Sequence, residues 1–128
     1  MILDSSAVVA VLLGEPGSDE LIDRLEAATG LAIAAPTLVE AGIVLRARIG
    51  PLADELLTDL LRTLEVAVIP FDADHAAAAI HAWERFGRGR HPAALNLGDC
   101  ITYAAARVAG LPIVATGEDF ARTDATLA

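Results

Sequence analysis

A parallel α/β fold is predicted by three features of the sequence. Short β-branched runs alternate with longer Ala/Leu-rich stretches of helical spacing, the pattern of strands joined by helical crossovers. Gly and Pro punctuate the junctions between them. The 128 residues suit one domain, and no internal repeat, low-complexity tract or long linker divides them. With 55% hydrophobic but only 4% aromatic residues, the core must be built from Ala, Leu, Val and Ile.

The elements follow in order. Ile2 to Asp4 is a very short first strand, followed by a helix through Val8–Leu13 that stops at Gly14-Glu15-Pro16-Gly17. Asp19 to Ala28 reads as a second helix, with Leu21, Ile22 and Leu25 on one face. Leu31 to Ala35 is the second strand, and Pro36 suits the first turn of a helix running to about Ile49. Gly50-Pro51 breaks it before Leu52 to Leu64 resumes a helical pattern. Val66 to Ile69 is the third strand, ended by Pro70. Asp72 to Phe86 is helical, Gly87 to Leu97 a loop, and Gly98 to Ala109 a helix capped by Gly110. Pro112 to Ala115 is the fourth strand.

Composition excludes several functions. No apolar run reaches the ~20 residues that span a bilayer, and Met1-Ile2-Leu3-Asp4 lacks the basic start of a secretory signal. The single cysteine, Cys100, has no internal disulfide partner, which favours a reducing, cytoplasmic setting. The formal net charge is −9, and all nine basic residues are arginine. Without lysine there is no P-loop and no Schiff-base or PLP chemistry. Receiver domains and haloacid-dehalogenase-like phosphatases also keep an Asp after the first strand, but both use a lysine. The acidic balance argues against tight nonspecific binding to duplex nucleic acid.

Open parallel sheets carry their functional residues beyond the carboxyl ends of the strands. Asp4 ends the first strand and Asp119 follows the fourth. Glu40 lies about one turn into the helix after the second strand, and Asp99 opens the helix leading to the fourth. Four acids from distant parts of the chain therefore reach one rim. Each also has a structural reading. Asp4 before Ser5-Ser6 suits a helix cap, as does Asp99 beside Gly98, and Asp119 in Gly117-Glu118-Asp119-Phe120 suits a cap of the terminal turn or a solvated loop. Glu40, with Ile43 and Val44 as its i+3 and i+4 neighbours, is expected to be partly buried and to need a positive charge that no nearby lysine supplies.

Two carboxylates ~5 Å apart repel by roughly 3 kcal/mol at an effective dielectric of ~20. A cluster of four would raise its pKa values or recruit a divalent cation. All-oxygen ligation without His or Cys suits Mg²⁺, with Mn²⁺ as a substitute, rather than Zn²⁺. Such sites serve phosphoryl chemistry, which points to a metal-dependent phosphodiesterase or nuclease.

At these residues the chain resembles the PIN-domain family, and within it the VapC-type toxins of bacterial toxin–antitoxin pairs. The matching segments are Ile2-Leu3-Asp4-Ser5-Ser6-Ala7, Ala35-Pro36-Thr37-Leu38-Val39-Glu40-Ala41, the stretch from Gly89-Arg90-His91-Pro92 to Gly98-Asp99-Cys100, and Gly117-Glu118-Asp119-Phe120-Ala121-Arg122-Thr123-Asp124. The resemblance implies a three-layer α/β/α sandwich around a mainly parallel sheet of four to five short strands. It implies that Asp4, Glu40 and Asp99 are the core Mg²⁺ ligands, with Asp119 as a fourth, more variable acid. Ser6 and Thr102 fall where such proteins carry hydroxyls that support the ligands. Many relatives have Lys where this chain has Thr116, a departure that bears on substrate detail. The implied activity is endoribonucleolytic cleavage of cellular RNA (tRNA or other structured RNA) by metal-activated water, restrained by a VapB-type antitoxin. Dimerisation is usual in the family.

Arg85, Arg88, Arg90 and His91 form the one locally positive stretch, running into Asp99 without an intervening acid. It reads as a guide for an RNA backbone, or alternatively as a solvated, glycine-loosened loop. His75 and His81, six apart, do not share a helical face and read as surface or groove residues. Cys100 reads as core filler. Two other functions fit the same residues: a catalytically silent PIN-like module that docks an antitoxin, and a structure-selective DNA nuclease.

Overall fold

The computed structural model describes residues 1–128. Strands β1 (Ile2–Leu3), β2 (Ala32–Ala34), β3 (Ala67–Ile69) and β4 (Ile113–Val114) form one sheet in the order β3-β2-β1-β4, with every neighbouring pair parallel. Helices α1 (Ser5–Leu13) and α2 (Ser18–Glu26) join β1 to β2. Helices α3 (Ala35–Ile49) and α4 (Leu52–Thr63) join β2 to β3, and α5 (Ala73–Phe86) and α6 (Leu97–Ala109) join β3 to β4.

Strand alternation divides the core in two. Leu3, Ile33 and Val114 pack against α1 to α4, while Ile2, Ala32, Ala34 and Ile113 pack against α5 and α6. In the second cluster Ala104 and Ala105 of α6 and Ala32 and Ala34 of β2 are all buried, alongside the larger Phe86, Leu95, Tyr103 and Phe120. The result is the expected three-layer sandwich. Because the chain steps outward from β1 to β3 and then returns past β1 to β4, the switch point lies at the carboxyl ends of β1 and β4.

The elements match the sequence reading in kind, and their ends differ for local reasons. Helix α1 begins at Ser5, directly after its cap Asp4, whose side chain accepts from the Ser6 backbone N–H at 3.0 Å as the capping reading of Asp4 expects. Helix α6 begins at Leu97 because Asn96 caps it, with Asp99 reciprocating. His75 is buried rather than a surface residue, and completes a capping box with Asp72 at the start of α5. The 87–96 loop is not loose. Leu95 N–H donates to the Phe86 carbonyl at 2.9 Å and Arg88 N–H to the Leu95 carbonyl at 3.1 Å.

A C-terminal segment after β4 extends the sheet beyond the sequence-read strands. Ile113 N–H donates to the Thr126 carbonyl at 2.8 Å and Ala128 N–H to the Ile113 carbonyl at 2.9 Å, forming a single parallel bridge between Ile113 and Leu127. The tail is fastened farther in by Asp124, which accepts from Tyr103 Oη at 2.6 Å and from Arg85 at 2.9 Å. Hydrogen bonding to Tyr103, then to Arg85, holds the Asp124 carboxyl below its ordinary range, while burial pushes the Tyr103 hydroxyl up.

Candidate active site

Four segments bring acids to the switch point: Asp4 after β1, Glu40 on α3, Asp99 on α6 and Asp119 after β4. Asp4 is buried, and both its oxygens are occupied. Oδ1 accepts from Thr102 Oγ1 at 2.6 Å, and Oδ2 accepts from Ser6 Oγ at 2.6 Å as well as from Ser6 N–H. Thr102 is wholly buried and lies 3.4 Å from Thr37 Oγ1. Ser6 Oγ also accepts from Thr116 N–H at 3.1 Å, so the backbone leaving β4 is tied to the Asp4 carboxylate through one hydroxyl. Neutral donors hold Asp4, and its negative charge is left uncompensated.

Asp99 occupies the first turn of α6, where its Oδ2 accepts from Asn96 N–H at 2.9 Å. Its capping role and its place at the rim are therefore compatible. Burial pushes its pKa up to about 6; the Asn96 bond opposes the shift, and the charges of Asp4, Asp119 and Glu40 add to it. All three other acids thus act on Asp99. None of the four belongs to an ion pair; the bridges in the molecule are Arg46–Asp54, Arg62–Asp59, His75–Asp72 and Arg85–Asp124.

Glu40 departs from the sequence expectation. It is exposed, not partly buried, and its neighbours Val39 and Ile43 are 60% and 64% exposed. Helix α3 buries Thr37, Ala41 and Leu45 instead, a stripe at four-residue spacing that leaves the Glu40 face open. The burial argument for a compensating charge therefore fails at this residue. What holds Glu40 is local: Ser5 Oγ donates to its Oε1, and its carboxylate lies against the Cα of Gly98. Asp119 is exposed and starts the short 3-10 turn Phe120–Arg122 without a side-chain capping bond.

No three His, Cys, Asp or Glu side chains converge tightly enough to form a closed ligand set. The acids surround an open rim with charge in excess and oxygen donors only, a set that suits a hard cation retaining much of its water.

The basic residues do not act as one patch. Arg85 is engaged with Asp124, and Arg90 donates to the Glu84 carbonyl at 3.1 Å while its guanidinium lies over Trp83. His91 Nδ1 accepts from Ala93 N–H at 3.0 Å, and its ring meets Phe86 edge-on. Arg88 is exposed at an apolar cavity of about 390 Å³ lined by Ile80, Trp83, Leu97 and Cys100. Only Arg88 stands outside such internal contacts.

Ser5, Thr37, Asn96 and Gly98 were not read as site residues from the sequence. Asn96 had a signal, the Asn-x-x-Asp spacing of a capping box. Gly98 had a weaker one, since a glycine inside a helix costs stability without a conformational need.

The PIN domain family model matches residues 1–126. Ribonuclease VapC36 of Mycobacterium tuberculosis is 46% identical over 125 residues, covering 97% of this chain and 90% of that protein. A ribonuclease VapC of Mycolicibacterium smegmatis is 39% identical over 124 residues, covering 97% and 96%. Among solved structures, the Mycobacterium tuberculosis toxin VapC20, described as cleaving the sarcin-ricin loop, superposes with a TM-score of 0.81 at 17% identity over 99% of this chain and 97% of that one. A toxin–antitoxin complex from Klebsiella pneumoniae gives 0.72 at 18% identity over 99% and 95%. With the fold, the acidic rim and the near full-length matches in agreement, the chain belongs to the PIN domain family, in its VapC group.

Proposed function

We propose that the chain is a Mg²⁺-dependent endoribonuclease, the toxin of a type II toxin–antitoxin pair, acting in the cytoplasm. The observation that carries the reading is the uncompensated charge at the switch point: four acids from four segments without a basic partner, with Asp99 pushed up to about 6 by burial and, beyond that, by the charges of the other three. The names of the VapC relatives support ribonuclease activity.

Asp4, Glu40, Asp99 and Asp119 would hold the ion. When bound, Mg²⁺ supplies the positive charge that draws a phosphodiester to the rim and polarises it for attack by water. Asp99 or Asp119 would orient the attacking water. Ser6 and Thr102 fix both oxygens of Asp4, and Thr116 anchors Ser6 through its backbone. Arg88 faces solvent without an internal partner and is the arginine of this stretch available to an RNA phosphate; Arg90 and His91 make the hydrogen bonds that shape its loop, while Arg85 is held by Asp124.

Partners fit the same rim. Val39, Ile43 and the 76% exposed Leu97 border the acids with apolar surface, which suits a VapB-type antitoxin segment and a second copy of the chain. The Klebsiella toxin–antitoxin complex supports the antitoxin.

Antitoxin-free protein should cleave structured RNA with Mg²⁺, and neither EDTA-treated protein nor Asp99→Asn should do so. Cleavage surviving both changes would refute the acidic mechanism. Cation binding without cleavage of any RNA would favour the silent docking module.

A further inference from the structure

We propose that Ser5 and Gly98 form a positioning pair that fixes the Glu40 carboxylate beside Asp99. The inference rests on the metal-site reading above for its consequence, though its geometry stands independently. Ser5 is buried in the first turn of α1, directly after Asp4, and its Oγ donates to Glu40 Oε1. On the other side, a Cβ on Gly98 would overlap Glu40 Oε2 and lie 3.0 Å from Oε1. The carboxylate therefore occupies the space that any other residue at position 98 would fill.

The backbone gives no competing reason for glycine there. Gly98 lies inside α6 and is absent from the residues with positive φ, so its conformation is open to any L-residue. Glycine costs about 1 kcal/mol relative to alanine in a helix interior and less in the first turn, where Gly98 lies, so glycine has no helical advantage there. The contact it allows is with a carboxylate at the N-terminal turn of a 13-residue helix, where the helix dipole favours negative charge. Gly42, the other glycine within a long helix, would meet only Leu57 at 3.7 Å, an ordinary contact.

Glu40 needs such a device. It is exposed, carries no ion pair, and has a long side chain that otherwise samples many rotamers. Held between the Ser5 hydroxyl and the Gly98 Cα, it reaches from α3 to both α1 and α6 in a defined orientation. The pair sets how well Glu40 is prepared for a cation, without touching the substrate.

The test uses Ser5→Ala and Gly98→Ala, with Glu40→Gln as reference. In metal-free protein, side-chain NMR couplings of Glu40 should report one fixed rotamer in wild type and averaging or a different rotamer in both variants. Mn²⁺ affinity should fall roughly tenfold in each variant, the scale of losing a ligand's supporting contact. Gly98→Ala should also melt no lower than wild type, because the atom it displaces is the end of a flexible side chain and alanine favours the helix. Equal or better stability with weaker cation binding is a combination that a purely structural role does not produce. A rotamer-averaged Glu40 in wild type, or an unchanged fixed one in both variants, would overturn the proposal. A fixed Glu40 released by both variants, with Glu40→Gln leaving Mn²⁺ affinity unaltered, would uphold the pair and overturn the metal-site reading alone.

Discussion

Asp99 combines three demands in one residue: it caps α6, lies half-buried, and feels three like charges. Its native pKa, raised from 3.8 to about 6, means that the folded protein binds this proton more tightly than the unfolded chain does. The associated stability is present below pH ~4 and is lost as pH rises through ~6. Solvent screening of a half-exposed carboxyl leaves about 1 kcal/mol of this. In EDTA, Asp99→Asn should accordingly melt a few degrees above wild type at pH 7.5, with the gap closing at pH 4, since Asn retains an acceptor for Asn96 N–H. Saturating Mg²⁺ should reverse the order at pH 7.5 by stabilising wild type only. A thermal melt series at the two pH values checks both. The same proton competes with the cation, so the apparent Mg²⁺ affinity should weaken as pH falls through ~6, read from Mg²⁺ titrations at pH 5 and pH 7.5. An affinity unchanged between the two would contradict ionised Asp99 as a ligand.

At the scale of elements, the sequence was most legible where a period or breaker acts locally. Every helix and strand was found in kind because Gly14, Gly50-Pro51, Pro70 and Gly110 mark junctions that backbone chemistry imposes. The open face of Glu40 was not legible. Ile43 and Val44 looked like a buried surround, and only the tertiary choice of Thr37, Ala41 and Leu45 as the inward stripe of α3 decides otherwise. Nor was the division of the arginines. Arg85 pairs with Asp124 across 39 positions of sequence, a contact that local spacing does not encode. That contact belongs to the clasp holding the tail on β4. Asp124→Ala should cost about 1–3 kcal/mol, because it removes the charge-assisted hydrogen bonds from the Tyr103 hydroxyl and Arg85 that fasten the tail, as read from the denaturation midpoint. Arg88→Ala should instead leave stability within ~0.5 kcal/mol and raise the KM for RNA. A stability loss at Arg88 comparable to that at Asp124 would place Arg88 in the fold rather than at the substrate.

The whole molecule carries a net charge of −9 and repels a polyanion unless the rim is neutralised. This sets it apart from nucleases that gather RNA by basic surface. The topology explains how four separated acids meet: the parallel order β3-β2-β1-β4 delivers the ends of β1 and β4, with the helix starts of α3 and α6, to one crevice. The order of the strands was not readable from the chain, although the rule that acids after parallel strands share an edge was. RNA binding should be weak in EDTA and tighten with Mg²⁺, as measured by filter binding of a structured RNA to Asp119→Asn, a variant slowed in cleavage.

The central claim is that these four carboxylates constitute one cation site. Calorimetric titration of Mn²⁺ into wild type and into Asp4→Asn, Glu40→Gln, Asp99→Asn and Asp119→Asn tests it most directly. The account predicts saturable binding to wild type, weakened at least tenfold by the Asp4, Glu40 and Asp99 substitutions and less by that at Asp119. Wild-type affinity retained in Asp4→Asn and Asp99→Asn would contradict it.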